Sequence, residues 1–414
     1  MAKGGALEQT IHEILGAIKP TREDFVCRLH VLEDLQIIVN SLENLRVATV
    51  EPFGSFVSNM FSRWGDLDIT VMVSSSLHIL FYGKKQKQAL LEEIFRILKK
   101  EGGVRSLRYV SDARVPILKL GYGNPAIRCD ISINNLQGQM KSKFLYWINL
   151  IDGRFRDMVL LVKQWAKAQH INNPKFGTLN SYSLSLLVIF HFQTCAPPIL
   201  PPIKELYMSN VADDLIGARS EAERRIEETC RSNIARFKSD ALRSVNRSSL
   251  SDLFVSFLKK FSDIKVKAKR FGICPFTGRW EEIEKNTRWL PRTYALFIED
   301  PFQQPENTAR AVNHGNLGRI TVAILATLET IHRPNSGYDL ACNLGGAHVA
   351  KLVTGLPVGM AISTPRHGRI EHRLPEGDEE PQEHSSAKGR KAVNGKKGVS
   401  NHVSKVMWKQ RNVK

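Results

Sequence analysis

The sequence lacks several features that would assign it at once to a protein class. Its six cysteines form no CxxC pair, and no secretory signal is evident, so we expect free thiols in a reducing compartment. The longest apolar run, residues 183–192, is too short to span a bilayer, and no membrane partner is expected. RNA-recognition, KH and Cys/His zinc motifs are absent, as are repeats of solenoid length. A disulfide-rich, membrane-spanning or modular repeat protein is therefore not indicated.

Acidic residues are scarce relative to basic ones. Asp and Glu total 41 against 59 Lys and Arg, which gives a net charge of +18. From Ser385 onward nine Lys or Arg occur without an acid, so half of the net charge lies near the end of the chain. Such an excess favours RNA, DNA or an acidic membrane surface as partner, although a surplus kept for solubility is an alternative. A hydrophobic fraction of 42% excludes a wholly disordered chain.

Hydrophobic periodicity divides the chain into four parts and predicts an α+β fold. The parts are residues 1–44 (two helices, 5–18 and 29–43, packing on the central domain), 45–140 (a mixed sheet with helices), 141–335 (a mostly helical domain with a helical insertion at about 203–263) and 336–414 (a flexible basic tail). The predicted strands are 46–50, 67–73, 107–110, 115–120 and 127–133. The further predicted helices are 86–100, 152–170, 180–195, 251–261 and 314–333.

Two aspartates, Asp66 and Asp68, give the densest chemical signal. Residues two apart in a strand project to the same face, so these side chains lie together while Leu67 faces the core. Side by side the carboxylates repel unless cations bridge them, and Mg²⁺ prefers such oxygen ligands. In a later strand the same alternation places Asp130 on the polar face, where it joins the pair if the strands are neighbours. Three carboxylates can hold two metal ions for an in-line phosphoryl transfer.

Gly54 and Ser55 precede these acids, with ten residues between Ser55 and Asp66. They begin a short helix-like run. Glycine permits close approach of the backbone to a phosphate, and a helix N-terminus offers free N–H donors. Gly-Ser alone is a common turn, but its combination and order with the aspartates favour a nucleotide-binding site.

Five ordered motifs carry a resemblance to a known family. They are residues 65–69 (GDLDI), 129–135 (CDISINN), 160–167 (LLVKQWAK), 177–183 (GTLNSYS) and 298–302 (IEDPF). With the Gly-Ser start they resemble the DNA polymerase β superfamily of nucleotidyltransferases and, within it, the noncanonical poly(A) polymerases and terminal uridylyltransferases. The resemblance covers about residues 10–335, and the run 275–280 (PFTGRW) and the basic tail make it strongest to the plant terminal uridylyltransferases that tail unmethylated small RNAs. It implies a polymerase β-like catalytic domain followed by a poly(A)-polymerase-type central domain.

The resemblance also implies roles for single residues. Lys163 and Lys167 lie four residues apart on one helix face. Two like charges there indicate either a bound anion between them or a solvated surface. In the family, the matching lysines contact the triphosphate. Ser181 would touch a phosphate and Tyr182 would stack on the base. The other implied nucleotide-binding residues are Gly54, Ser55, Asn135, Ser142 and Asp300, the last of which would read the base edge.

Two positions depart from the family's pattern. Some uridylyltransferases carry a histidine six residues after the position of Asp300, which disfavours adenine, but this chain carries Glu306. Lys141 stands where family members often carry asparagine. The histidine that disfavours adenine is therefore absent, or adenine is disfavoured by other residues. The expectation of UTP rests on the overall likeness to the plant branch.

The resemblance implies a template-independent RNA 3′-terminal uridylyltransferase that uses UTP and Mg²⁺, or Mn²⁺, and marks unmethylated small RNAs or RNA fragments for degradation. It implies Argonaute-containing complexes as partners and a location in the cytoplasm, including RNA granules, and in the nucleus. The alternatives are an ATP-using poly(A) polymerase of the same fold and a catalytically silent RNA-binding relative. The basic run 388–414 would bind RNA phosphates, direct nuclear import or dock a partner.

Overall fold

The structure is a computed structural model that describes residues 2–73, 82–123, 126–289, 293–333 and 336–355. The part of the predicted tail beyond residue 355 lies outside this description. Within the described ranges, no helix has the combination of length and apolar character that crossing a membrane requires.

A five-stranded mixed sheet forms the first lobe of the protein. Its strands are Thr49–Phe53 (β1), Leu67–Met72 (β2), Val104–Val110 (β3), Ile117–Tyr122 (β4) and Ile127–Ile133 (β5). Their order is β1-β2-β5-β4-β3, in which β2 and β5 are parallel and the other neighbours are antiparallel. A separate hairpin pairs Phe271–Cys274 (β6) with Arg279–Glu282 (β7). The hairpin was not predicted from the sequence, and the run 275–278 forms its turn.

Helices form most of the remaining described structure. Their bounds are Ala2–Ile18 (α1), Arg22–Asn40 (α2), Gly54–Val57 (α3), Lys84–Glu101 (α4), Leu136–Asn149 (α5), Arg154–Ala168 (α6), Ser181–Thr194 (α7), Ile203–Leu206 (α8), Val211–Asp214 (α9), Arg219–Ser239 (α10), Leu250–Phe261 (α11), Ile264–Lys267 (α12), His314–His332 (α13) and Gly337–Thr354 (α14). The predicted α+β class is confirmed. A capping box begins α11, because Ser249 accepts a hydrogen bond from the Asp252 N–H and the Asp252 side chain accepts one from the Ser249 N–H.

Two hydrophobic cores define two lobes. In the sheet lobe, α2 and α4 cover one face of β1–β5, where Leu67 and Ile69 are fully buried. In the helical lobe, α6 lies at the centre of a core formed with α1, α5, α7, α11, α13 and α14. Trp165 of α6 is buried there, and its indole N–H donates to the Thr327 hydroxyl at 2.9 Å.

Two predictions about the ends of the chain were wrong. The first two helices do not both pack on the helical lobe: α1 does, but α2 packs on the sheet through an apolar face that includes Val31 and Leu35. Residues 336–355 are not a flexible tail, because α14 packs against α1 and α6 and buries Leu344 and Val349. Adjacent glycines obscured this helix in the sequence, and it is kinked at Gly346, where φ is +79°.

Candidate active site

Asp68 and Asp130 lie at paired positions on the neighbouring parallel strands β2 and β5. Asp66 lies just before β2 and shares the face of Asp68 through the alternation of side chains. The condition under which Asp130 joins the pair, that the two acidic strands are neighbours, is therefore met. Burial, together with the negative charges of Asp130 and Asp66, raises the pKa of Asp68 to about 7. Such a cluster is unfavourable until a cation neutralises it.

Two basic side chains contact these acids. Lys119 of β4 lies opposite Asp130 in the sheet register, and its ammonium donates to the Asp130 carboxylate. The Arg128 guanidinium donates from Nε to Asp66 Oδ1 at 2.7 Å. Lys119 was missed in the sequence although strand alternation places it between the buried Leu118 and Leu120, on the face of the acids.

The carboxylates suit a divalent metal by their chemistry, although they do not form a closed centre. In the described part of the chain, no three histidine, cysteine or acidic side chains converge as a formed metal cluster. The reason is that Asp130 is turned to Lys119 and Asp66 to Arg128. The donors are nevertheless all carboxylate oxygens, from paired positions of β2 and β5 and from the residue just before β2, and burial together with mutual repulsion raises the pKa of Asp68. The residues therefore fit one or two hard cations.

Gly54 lies directly against the Asp68 carboxylate. Its φ is +66°, and a Cβ placed on it would lie 2.1 Å from Asp68 Oδ2, so only glycine fits. Its N–H is not free, because it donates to the Ser142 hydroxyl at 2.6 Å, and that hydroxyl in turn donates to the Gly138 carbonyl. The predicted phosphate-binding helix start is a single turn, α3, whose first N–H is held by Ser142.

A cavity of about 860 Å³ lies between the two lobes, beside the acids. Its volume is in the range of small-molecule sites. The predicted site residues that line it are Gly54, Ser55, Asp66, Asp68, Ser142, Lys163, Lys167, Ser181 and Tyr182. Three predicted residues, Asp130, Asn135 and Asp300, are not among its lining residues. Asn135 instead caps α5, where its side chain accepts a hydrogen bond from the Gly138 N–H at 3.1 Å.

The lysines of α6 supply positive charge to the cavity. Lys163 donates to the Met60 carbonyl at 3.0 Å. Burial and the nearby charge of Lys167 lower the pKa of Lys163 to about 8, against the opposing effect of Asp68. An ammonium that is partly desolvated beside a second cation is stabilised when it binds an anion. The ligand interpretation of this pair is therefore favoured over a solvated surface.

Ser181 and Tyr182 are held at the cavity by the N-terminal cap of α7. Asn180 accepts a hydrogen bond from the Ser183 N–H at 2.7 Å and donates to the Thr308 carbonyl at 2.8 Å. This cap ties the first turn of α7 to the segment that follows Asp300. The Tyr182 hydroxyl donates to Asp300 Oδ1 at 3.0 Å, which fixes the ring.

Asp300 is buried, and its carboxylate is hydrogen-bonded to donors of this chain. Its carboxylate accepts hydrogen bonds from Tyr182, from Lys141 and from the Phe302 N–H at 3.1 Å. In the structure Asp300 bonds groups of this chain, and its reading of the base edge stays a prediction. Lys141, which lines the cavity, also donates to Gln303 Oε1 at 2.9 Å and lies 5.4 Å from the Tyr182 ring centroid. The carboxylate orients two side chains that do face the cavity.

Comparisons with known proteins agree with this architecture. Residues 7–149 match the family model of the central palm domain of mitochondrial-like poly(A) RNA polymerase. The chain is 56% identical over 349 residues to Protein HESO1 of Arabidopsis thaliana, covering 84% of this chain and 68% of that protein. It is 26% identical over 343 residues to terminal uridylyltransferase cid1 of Schizosaccharomyces pombe, covering 78% of each.

Solved structures show the same fold. A crystal structure of mtPAP in complex with UTP matches with a TM-score of 0.64 and 18% identity, covering 83% of this chain and 72% of that one. The Cid1 poly(U) polymerase with Mg and 3′-dATP bound matches with a TM-score of 0.62 and 25% identity, covering 81% of this chain and 98% of that one. Both matches extend across the sheet lobe and the helical lobe, and hence across the cavity between them.

Proposed function

The chain belongs to the family of noncanonical poly(A) polymerases and terminal uridylyltransferases, and from this premise we propose that it transfers UMP from UTP to the 3′ end of RNA without a template. It is an RNA nucleotidyltransferase, and the reaction releases pyrophosphate. The observation that carries the proposal is the placement of Asp68 and Asp130 on adjacent strands, with Asp66 just before the first of them, beside a cavity shared by both lobes. The similarity to terminal uridylyltransferase cid1 favours UTP over ATP, which is the less favoured alternative.

Asp66, Asp68 and Asp130 would hold Mg²⁺, or Mn²⁺ in its place. When bound there, the metal supplies charge neutralisation for the triphosphate and lowers the pKa of the attacking RNA 3′-hydroxyl. Before a metal ion is bound, Lys119 and Arg128 donate to two of these carboxylates, those of Asp130 and Asp66. Each basic side chain keeps an acid neutralised until then, which limits the repulsion within the cluster.

The protein's own groups bind and orient the nucleotide. Lys163 and Lys167 neutralise the triphosphate from the α6 side of the cavity, and Ser55 and Ser181 offer hydroxyl donors to its oxygens. Tyr182, fixed by its hydrogen bond to Asp300, offers a ring for stacking of the base. Because phosphoryl transfer depends on positioning and charge stabilisation, no covalent intermediate with the enzyme is required.

The RNA substrates are unmethylated small RNAs or RNA cleavage fragments, and uridylation marks them for degradation. The basic character of the chain favours RNA, and the likeness to the plant branch supports this substrate class. On the same grounds the partners are Argonaute-containing complexes, and the enzyme acts in the cytoplasm, including RNA granules, and in the nucleus.

A tailing assay tests these proposals. Pure protein is incubated with a short single-stranded RNA, Mg²⁺ and each nucleoside triphosphate separately. Extension with UTP well above extension with ATP is expected, and comparable extension by both would overturn the uridylyltransferase assignment. A parallel RNA with a 2′-O-methylated 3′ end should not be extended. Loss of extension in Asp66→Ala/Asp68→Ala distinguishes an enzyme from a silent RNA-binding relative.

A further inference from the structure

Trp64 presents an exposed indole at the edge of the carboxylate cluster. The residue is 40% exposed, whereas nearby Phe61 and Leu67 are almost fully buried. The ring has an edge contact with His348 of α14, whose ring centroid is 5.2 Å away. The exposed part of the indole offers an aromatic surface on which a planar ligand can stack.

The backbone around Trp64 is held firmly by hydrogen bonds, so the position from which the indole projects is set by the fold. Arg28 donates to the carbonyls of Arg63 at 3.1 Å and Gly65 at 2.8 Å. Arg128 donates to the Trp64 carbonyl at 3.2 Å. The N–H groups of Arg63 and Gly65 are bonded to the carbonyls of Ile18 and Ser62.

Cations flank the ring. The Arg63 guanidinium carbon lies 5.9 Å from the Trp64 ring centroid. The Arg128 side chain is 70% exposed and joins the Trp64 carbonyl to Asp66. A partly exposed indole with one guanidinium over its ring and a second at its carbonyl has the chemistry that binds single-stranded nucleic acid, in which bases stack and phosphates meet positive charge.

We propose that Trp64 is a stacking platform for a nucleobase near the 3′ end of the RNA substrate, with Arg63 and Arg128 beside it for the phosphates. This rests on the proposed function, because that function requires a 3′-hydroxyl close to Asp66, which lies two residues from Trp64. Stacking on an indole tolerates any base, as an enzyme that acts on varied RNA ends requires. Phe176 is a rival platform, since it is 73% exposed at the end of the segment 172–175 that lines the cavity. It is the weaker candidate, because the described contacts place no cation over its ring.

Steady-state kinetics with RNA and UTP varied separately test the platform. Trp64→Leu keeps an apolar side chain against α14 but has no aromatic face, and Trp64→Phe keeps a face. Trp64→Leu should raise the KM for RNA about tenfold, the loss expected when one stacked base is released, and leave the KM for UTP unchanged. Trp64→Phe should recover most of the affinity for RNA. Phe176→Leu serves as the matched control and should behave as the wild type.

Direct binding separates the platform from the proposed function. Fluorescence anisotropy of a labelled single-stranded RNA on the full chain reports RNA affinity without catalysis. Weaker RNA binding by Trp64→Leu supports the stacking platform. If the wild-type protein binds RNA in this way but transfers no nucleotide, the proposed function is wrong and the platform still stands. An unchanged affinity for RNA in Trp64→Leu, an equal rise in the KM for UTP, or an effect confined to Phe176→Leu overturns the platform.

Discussion

Arg114 donates two hydrogen bonds to the carboxylate of Glu306, from Nη1 at 2.7 Å and from Nη2 at 2.6 Å. Arg114 lies on the β3–β4 turn of the sheet lobe, and Glu306 lies in the helical lobe, six residues after Asp300. The hydrogen bond with Arg114 lowers the pKa of Glu306, so the pair stays charged near neutral pH. At the position where some uridylyltransferases carry a histidine, this chain therefore has an ion pair that joins the two lobes.

Removal of this ion pair should weaken the contact that holds the two lobes together around the cavity. We expect Arg114→Ala to raise the KM for UTP by about two- to fivefold, because a half-exposed ion pair contributes up to ~1 kcal/mol. Arg310→Ala is the control, since Arg310 also contacts Glu306, at 3.2 Å, but from within the helical lobe. The measurement is KM and kcat for UTP at low salt. Equal effects of the two variants would argue against a bridge between the lobes.

Lys141 should contribute to the choice of UTP. An ammonium donates hydrogen bonds but accepts none, and uracil offers carbonyl acceptors where adenine offers an amine donor. Since Asp300 and Gln303 hold Lys141 at the cavity, Lys141→Met should lower the ratio of kcat/KM for UTP to that for ATP by about tenfold.

Lys143→Met is the matched control for Lys141→Met, because Lys143 lies on the same helix but pairs with Glu223. It should leave the ratio of UTP to ATP use unchanged. A ratio that stays unchanged in Lys141→Met as well would show that the base is selected elsewhere.

Local chemistry could be predicted from the sequence, and contacts between distant segments could not. Alternation was enough to place Asp68 and Asp130 on the polar face of their own strands, since side-chain direction in a strand depends only on sequence position, but the pairing of the two strands was seen only in the structure. The contact of Arg114 with Glu306 depends on how the two lobes meet, which no local pattern encodes. The hydrogen bonds that Asp300 accepts from Lys141 and Tyr182 join separate segments in the same way, and no local pattern in the sequence predicts them.

Asp68 should be needed for activity and unfavourable for stability. Its pKa is about 7 in the folded chain, above the ordinary 3.8, so its cost to stability grows as pH rises from 3.8 and is complete above 7. Asp68→Asn should abolish extension yet raise the melting temperature in chelator at pH 8, by about 2–4 °C for each kcal/mol gained. The gain should shrink towards pH 4. A lower melting temperature at pH 8 would contradict this account of the cluster.

Glu51 of β1 and Arg219 of α10 should make stability depend on acid pH. Arg219 Nη1 donates to Glu51 Oε1 at 2.9 Å and Nη2 to Oε2 at 2.7 Å. Burial alone would raise the pKa of Glu51, but the hydrogen bonds and charge of Arg219 outweigh it and lower that pKa to about 2. The stabilisation is therefore complete above pH 4.5, the ordinary pKa, and is lost as pH falls towards 2.

Denaturant unfolding at several pH values measures this contribution. Arg219→Met leaves the half-buried Glu51 carboxylate without a charged partner, although Thr49 and Gln139 still donate to it, and should cost about 3 kcal/mol at pH 7, with a smaller cost below pH 4.5. Arg224→Met removes only an exposed pair with Glu228 on the same helix and should cost little. A cost for Arg219→Met that is the same at every pH would contradict the assigned role of the charge.

Gly54 should tolerate no side chain, because its backbone touches the Asp68 carboxylate. Gly54→Ala places a methyl group 2.1 Å from Asp68 Oδ2 and also strains a φ of +66°. A displaced carboxylate should lower kcat about 100-fold, the penalty for a catalytic group moved by ~1 Å. Gly153→Ala is the control, since no atom lies within 4 Å of its added Cβ. A Gly54→Ala enzyme with normal kcat would show that Asp68 need not stay where the structure places it.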